Sequence, residues 1–206
     1  DVTSDGDMLF DGTGQIDLGA DLDTTGAGTA AVGDGSTITV NDSTVRLVGG
    51  DRSITTDDGD VRLEAVTRDG TARALTVTSD TANSGAVQFD GAIGVNTTGE
   101  LSAVNIGTGG GNNLVDTVTF LDTVDANALT VDAATLVQAG DGAADVQRID
   151  GNVDIDTAGW TVNAAVTTSA GSGGTLTVTN SGLADIGADV TSDGDMLFDG
   201  TGQIDL

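Results

Sequence analysis

The chain has 206 residues, 32 of them Gly and only 2% aromatic, and it contains no Pro, His or Cys. Its six basic residues, all Arg, face 33 acidic ones for a net charge of −27. This excludes nucleic acid and anionic membrane surfaces as partners, because their phosphates would be repelled. Without Cys there is no disulfide or thiol chemistry, and without His, Lys or Tyr the Ser-His-Asp and Cys-His sites are excluded too.

The chain opens on Asp1 to Leu18, DVTSDGDMLFDGTGQIDL, and the same eighteen letters return as Asp189 to Leu206. Residues 1–188 are therefore one full tandem period and residues 189–206 start the next, with no internal domain boundary expected. A start without Met and a stop within the pattern are what an excerpt from a longer array would show. Short β-branched stretches with a period of two follow along the chain. They are Thr37–Val40, Val45–Val48, Val61–Glu64, Leu75–Thr78, Thr117–Phe120, Thr161–Val162 and Leu176–Thr179. Gly, Asp, Asn and Ser clusters separate them. The Ala-rich stretch from Asp125 to Ala144 is the best helix candidate, yet its Val, Thr and Gly content makes it strand as well. No apolar run is long enough for membrane insertion.

A finer repeat lies inside the period. Phe89-Asp90-Gly91 and Ile149-Asp150-Gly151 each open an apolar-Asp-Gly-x-apolar-x-apolar-x-Thr-x-Gly box, 60 residues apart. Phe10-Asp11-Gly12 opens a looser copy. Each Asp-Gly is expected to form a corner, with Gly supplying a positive φ and Asp bonding its own turn backbone. The reading is all-β: a parallel β-helix (β-solenoid) of about seven to nine turns per period. Rungs of about 21 or about 27 residues both divide 188, and the sequence leaves that choice open.

These boxes, set among Leu-Thr-Val-Thr strands, resemble the repeat regions of filamentous-haemagglutinin-like giant bacterial surface adhesins. The resemblance implies a right-handed coil forming a long extracellular shaft at the cell surface. The chain departs from that family in its letter-perfect reiteration and its acidity. The expected role is thus a structural repeat unit of a fibre or adhesin stalk, not an enzyme. Its partner would be the chain itself, continuing end to end with identical periods and bundling laterally. A surface-layer or matrix protein is the alternative, as is a calcium-clamped array of Ig-like sandwiches, against which the short internal period counts.

Several motifs carry candidate chemistry. Dense carboxylates at Asp5, Asp7 and Asp11, at Asp21 and Asp23, and at Asp57, Asp58 and Asp60 are candidate Ca2+ ligands, because hard cations take oxygen donors from such loops. Solvated corners are the plainer account of them. Gly109 to Asp116 faintly matches a calcium-binding nonapeptide but occurs once. Thr-x-Thr pairs at Thr37/Thr39, Thr76/Thr78, Thr117/Thr119 and Thr177/Thr179 would make a flat ice-binding face only if ranked on one side, and their uneven spacing argues against that. Trp160 is the single sugar-stacking candidate, with core packing the plainer account. Asn41-Asp42-Ser43 and Asn96-Thr97-Thr98 are glycosylation sequons.

Overall fold

The computed structural model describes residues 1–25, 36–81, 83–94, 100–108, 115–142, 144–168 and 173–206. Among these there is no helix, and strands pair in parallel from Val2 to Asp205. The chain is a β-solenoid with three sides. The stretch from Asp125 to Ala144 supplies strands Val124–Ala126 and Leu129–Ala139. Each period-two stretch coincides with a strand, only Thr37, Val48 and Glu64 lying one residue beyond its end, because alternating side chains let one face of each segment enter the coil while the other meets water.

On the first side, Val2, Leu22, Ile54, Val77, Ile106, Val131, Ile155, Val178 and Phe198 stack in register. The second side stacks Met8, Ile38, Val61, Val87, Val118, Val137, Trp160, Ala184 and Ile204. The third runs through Ile16, Val45 and Val66, continues by single bridges at Ile93 to Val124, and then takes Gln147, Val166 and Val190. The first-side column makes eight turns, with steps between 20 (Val2 to Leu22) and 32 residues (Leu22 to Ile54). The turn count agrees with the sequence reading. Neither of the two regular rung lengths holds, because strands and the connections between sides both vary in length from turn to turn.

The core is a set of aliphatic columns along the axis. Leu63, Phe89, Phe120, Ala139 and Val162 follow one another on the second side, all buried. The Phe89 and Phe120 rings stack with centroids 5.5 Å apart and planes 10° apart. Trp160 is fully buried beside Phe198, their centroids 6.2 Å apart. It is a core residue and offers no platform for a sugar. So narrow an interior needs few rings, which accounts for the sparse aromatics.

Two kinds of corner join the sides. Strands Met8–Leu18 and Ile38–Leu47 bend between the second and third sides, with a register shift between Asp11 and Gly14. Strands Leu129–Ala139 and Val153–Val162 bend between the first and second sides, with a shift between Ala133 and Leu136. Inward-pointing hydroxyls and amides close many corners by donating to a carbonyl just past the bend. Thr56 Oγ1 donates to Gly59 O (2.9 Å), Thr157 Oγ1 to Gly159 O (3.1 Å) and Asn180 Nδ2 to Gly182 O (2.9 Å). The Thr-x-Gly ending of the Ile149 box is this contact.

Candidate functional site

The surface on which one turn rests upon the next is the candidate site, and its chemistry begins with Asp. The residue entering a strand repeatedly accepts the N–H of the residue stacked above it. Thr37 N–H donates to Asp7 Oδ1 (2.8 Å), Ser53 N–H to Asp21 Oδ1 (2.8 Å) and Ala74 N–H to Asp51 Oδ1 (2.9 Å). Ala86 N–H donates likewise to Asp60 Oδ1 (2.7 Å), and Thr175 N–H to Asn152 Oδ1 (3.1 Å). A strand-entry N–H would otherwise lack a backbone partner, and a short side chain with a free oxygen supplies one. Four of the 33 acidic residues, Asp7, Asp21, Asp51 and Asp60, thus serve the axial stacking.

The candidate Ca2+ ligands are distributed accordingly. Asp7, Asp21 and Asp60 are such acceptors, Asp23 Oδ1 takes the Thr25 N–H (2.8 Å), and Asp57 Oδ1 takes the Thr81 hydroxyl (3.1 Å). Asp5 and Asp11 are exposed in the first turn, while Asp57, Asp58 and Asp60 lie together at a corner of the third. Among the described residues no group of three or more acidic side chains is arranged to hold a metal ion. The glycines of the nonapeptide-like stretch, 109–111, and the sequon at Asn96 lie outside the described residues. The sequon at Asn41 sits on the bend of strand Ile38–Leu47.

The Asp-Gly boxes require a correction. Gly12, Gly91 and Gly151 do not take positive φ. Gly91 and Gly151 are instead places of close approach: a Cβ on Gly91 would lie 2.8 Å from Ala65 N, and one on Gly151 would collide with Asn127 O. Gly12 has only Ser43 Oγ near it, at 3.9 Å. Asp90 binds the Arg62 guanidinium (2.5 Å) rather than its own turn backbone. The boxes also occupy different corners. Phe89 ends the second side and Ile149 ends the third. The Thr-x-Thr pairs are divided too, with Thr76/Thr78 and Thr177/Thr179 on the first side and Thr39 and Thr117/Thr119 on the second.

Arg side chains bridge turns. Arg46 pairs with Asp17 across adjacent turns (2.5 Å), and Arg148 forks onto Asp125 (2.7 and 3.0 Å), whose side chain is nearly buried. The Arg73 guanidinium and the Gly49 and Thr71 N–H groups hold the Asp69 carboxyl well below the usual carboxylate range. Asp132 goes the other way. Burial first, then the charges of Asp156 and Asp154, pushes its carboxyl up, in a shallow groove that Asp116 and Asp156 also line.

The two end turns complete the surface. Every exposed large apolar side chain among the described residues lies at an end: Val2 and Leu9 at one, Leu183, Met196, Leu197, Ile204 and Leu206 at the other. Met8, with a turn above it, is 7% exposed, whereas its identical counterpart Met196, with none, is 43% exposed. No family model, curated protein or solved structure matches this chain.

Proposed function

We propose that this chain is a building unit of a long, stiff extracellular fibre or adhesin stalk, wound right-handed as parallel crossovers overwhelmingly are. The carrying observation is the apolar and hydrogen-bonded column that runs through nine first-side strands and meets an uncovered strand at each end. Such a coil gains length by adding turns, each burying the face of the one before. The return of Asp1 to Leu18 as Asp189 to Leu206 supplies the same surface again. The role is mechanical, and the partner is the next copy of the period. The carboxylates left in solvent keep neighbouring rods apart, which limits edge-to-edge association. The resemblance to giant surface adhesins supports a location at the cell exterior.

Electron microscopy of chains carrying one, two and four periods tests this. Thin rods should lengthen by roughly 37 Å per period, at about 4.8 Å per turn. Compact particles would refute the reading, and two-dimensional lattices would favour a surface layer.

A further inference from the structure

The eighteen repeated residues occupy two different places in the coil. In the first copy Val2 lies on the first side, Met8 on the second and Ile16 on the third. In the last copy Val190 lies on the third side, Met196 on the first and Ile204 on the second. Counting sides along the chain, Val2 to Val190 spans twenty-three, as do Met8 to Met196 and Ile16 to Ile204. We infer that the period measures twenty-three sides, or seven and two-thirds turns, so that successive copies stack end to end with each rotated by one side. This inference rests on the fibre reading and adds the geometry of its joint.

Each copy displays one of the two surfaces the joint needs. The last copy shows what lies beneath the segment. Its Met196 sits on Leu176, Phe198 on Val178 and Ile204 on Ala184. The first copy shows what lies above: Met8 meets Ile38, Phe10 meets Val40 and Ile16 meets Val45. Joined, the columns read Leu-Met-Ile, Val-Phe-Val and Ala-Ile-Val, with the same residues inward in both. The glycines agree. A Cβ on Gly194 would lie 2.6 Å from Gly173 O, and Cβ atoms on Gly200 and Gly202 would strike Asn180 and Gly182. Their counterparts Gly6 and Gly14 have nothing within 4 Å, and Gly12 has only Ser43 Oγ of the turn above, at 3.9 Å. These glycines are shaped for a turn below, which only the last copy shows.

The bends give independent support. Strands bend between the second and third sides early in the period and between the first and second sides late in it. A rotation of one side brings the early bends of the next copy onto the column of the late bends. A whole number of turns would set them on different edges. After three periods the coil has made twenty-three turns, about 110 Å at ~4.8 Å per turn, and every outward feature has appeared on all three sides.

Two measurements test the joint, and native Cys residues are absent to confuse neither. Thr177 and Leu197 face outward in register on the first side. Stacked Cα atoms about 4.8 Å apart fall within disulfide range. The pair T177C/L197C should therefore oxidise within the chain, while D185C/L197C, which would close if the segment kept the side of its first copy, should not. The reverse result, or closure of neither pair, overturns the inference. In a two-period chain bearing T130C in each period, spin labels about 15 Å from the axis should lie roughly 45 Å apart. About 37 Å, the axial rise alone, overturns it. Rod length by microscopy reports the fibre reading separately, since it is the same for either rotation.

Discussion

The three glycines of the Asp-Gly boxes give opposite responses to one substitution. Gly91→Ala places a methyl 2.8 Å from Ala65 N and 3.2 Å from its Cα. Ordinary contact requires about 0.6 Å more. The turns resist parting there, because Asp90 N–H to Leu63 O (2.8 Å) and Val66 N–H to Ala92 O (2.9 Å) clamp the corner from both flanks. Such overpacking costs about 1–3 kcal/mol. The stiffer unfolded chain returns about 0.4–1 kcal/mol. A net loss of up to about 2.6 kcal/mol follows for Gly91→Ala, and a loss also for Gly151→Ala. Gly12→Ala meets only Ser43 Oγ at 3.9 Å and no positive φ, so it keeps the gain of about 0.4–1 kcal/mol. Urea unfolding of the three variants reads the sign directly. In a chain of two periods, the internal copy of Gly12 acquires Asn180 beneath it as Gly200 does, and the gain turns into a loss. If all three substitutions move the midpoint alike in the single-period chain, the glycines serve turn conformation and the argument from axial approach is wrong.

Other perturbations follow from the same contacts. Asp60→Ala leaves the Ala86 N–H without its acceptor and should cost about 0.5–1.5 kcal/mol, while Asp60→Asn, which keeps an oxygen as Asn152 does, should cost little; urea midpoints separate them. Phe89→Ala and Phe120→Ala should each cost about 3–5 kcal/mol, and the double mutant should show a coupling of about 0.5–1.5 kcal/mol for the ring stack. Asp132 has its folded pKa raised, so its charge opposes folding at neutral pH and the penalty disappears as pH falls through that pKa toward the ordinary carboxylate value. Asp132→Asn should therefore raise the melting temperature at pH 7 by an amount that vanishes near pH 4, and a gain independent of pH would reject the cause. Raising salt from about 0.1 to 1 M shrinks the screening length from about 10 to 3 Å and should raise the melting temperature of a chain at −27. Calcium at matched ionic strength should do the same, whereas an extra shift saturating at low calcium would reveal a specific site.

Strands, turns and the coil itself were legible because each depends on local pattern. Leu75-Thr76-Val77-Thr78 alternates, and Leu75 and Val77 are fully buried while the threonines are not. The rung length was not legible, for a reason the Phe89 and Ile149 boxes make plain. They are alike in sequence yet end different sides, seven sides apart. Spacing between like boxes therefore counts sides, and dividing by a turn mixes three positions. The work of Asp7, Asp21 and Asp60 was hidden as well. An Asp before a strand looks the same whether it binds a cation or a backbone N–H, and the choice depends on which residue, 26 to 32 positions on, stacks above it. The inward hydroxyl of Thr157 left a faint trace in the Thr-x-Gly spacing, because its acceptor is only two residues away.

One side, rather than one turn, is thus the unit that the sequence repeats. A side needs an apolar pair pointing inward, an acceptor at its entry and room for the turn below at its exit. Met196-Leu197-Phe198 meets these needs on the first side as Met8-Leu9-Phe10 does on the second. What cannot vary is parity, since a slip of one residue would turn Leu197 inward and Phe198 to solvent. A period made of sides can close on any whole number of them without loss of packing. A coil built this way spreads its Arg–Asp bridges and its excess charge around the axis as it lengthens, so no edge accumulates the repulsion that would bend it.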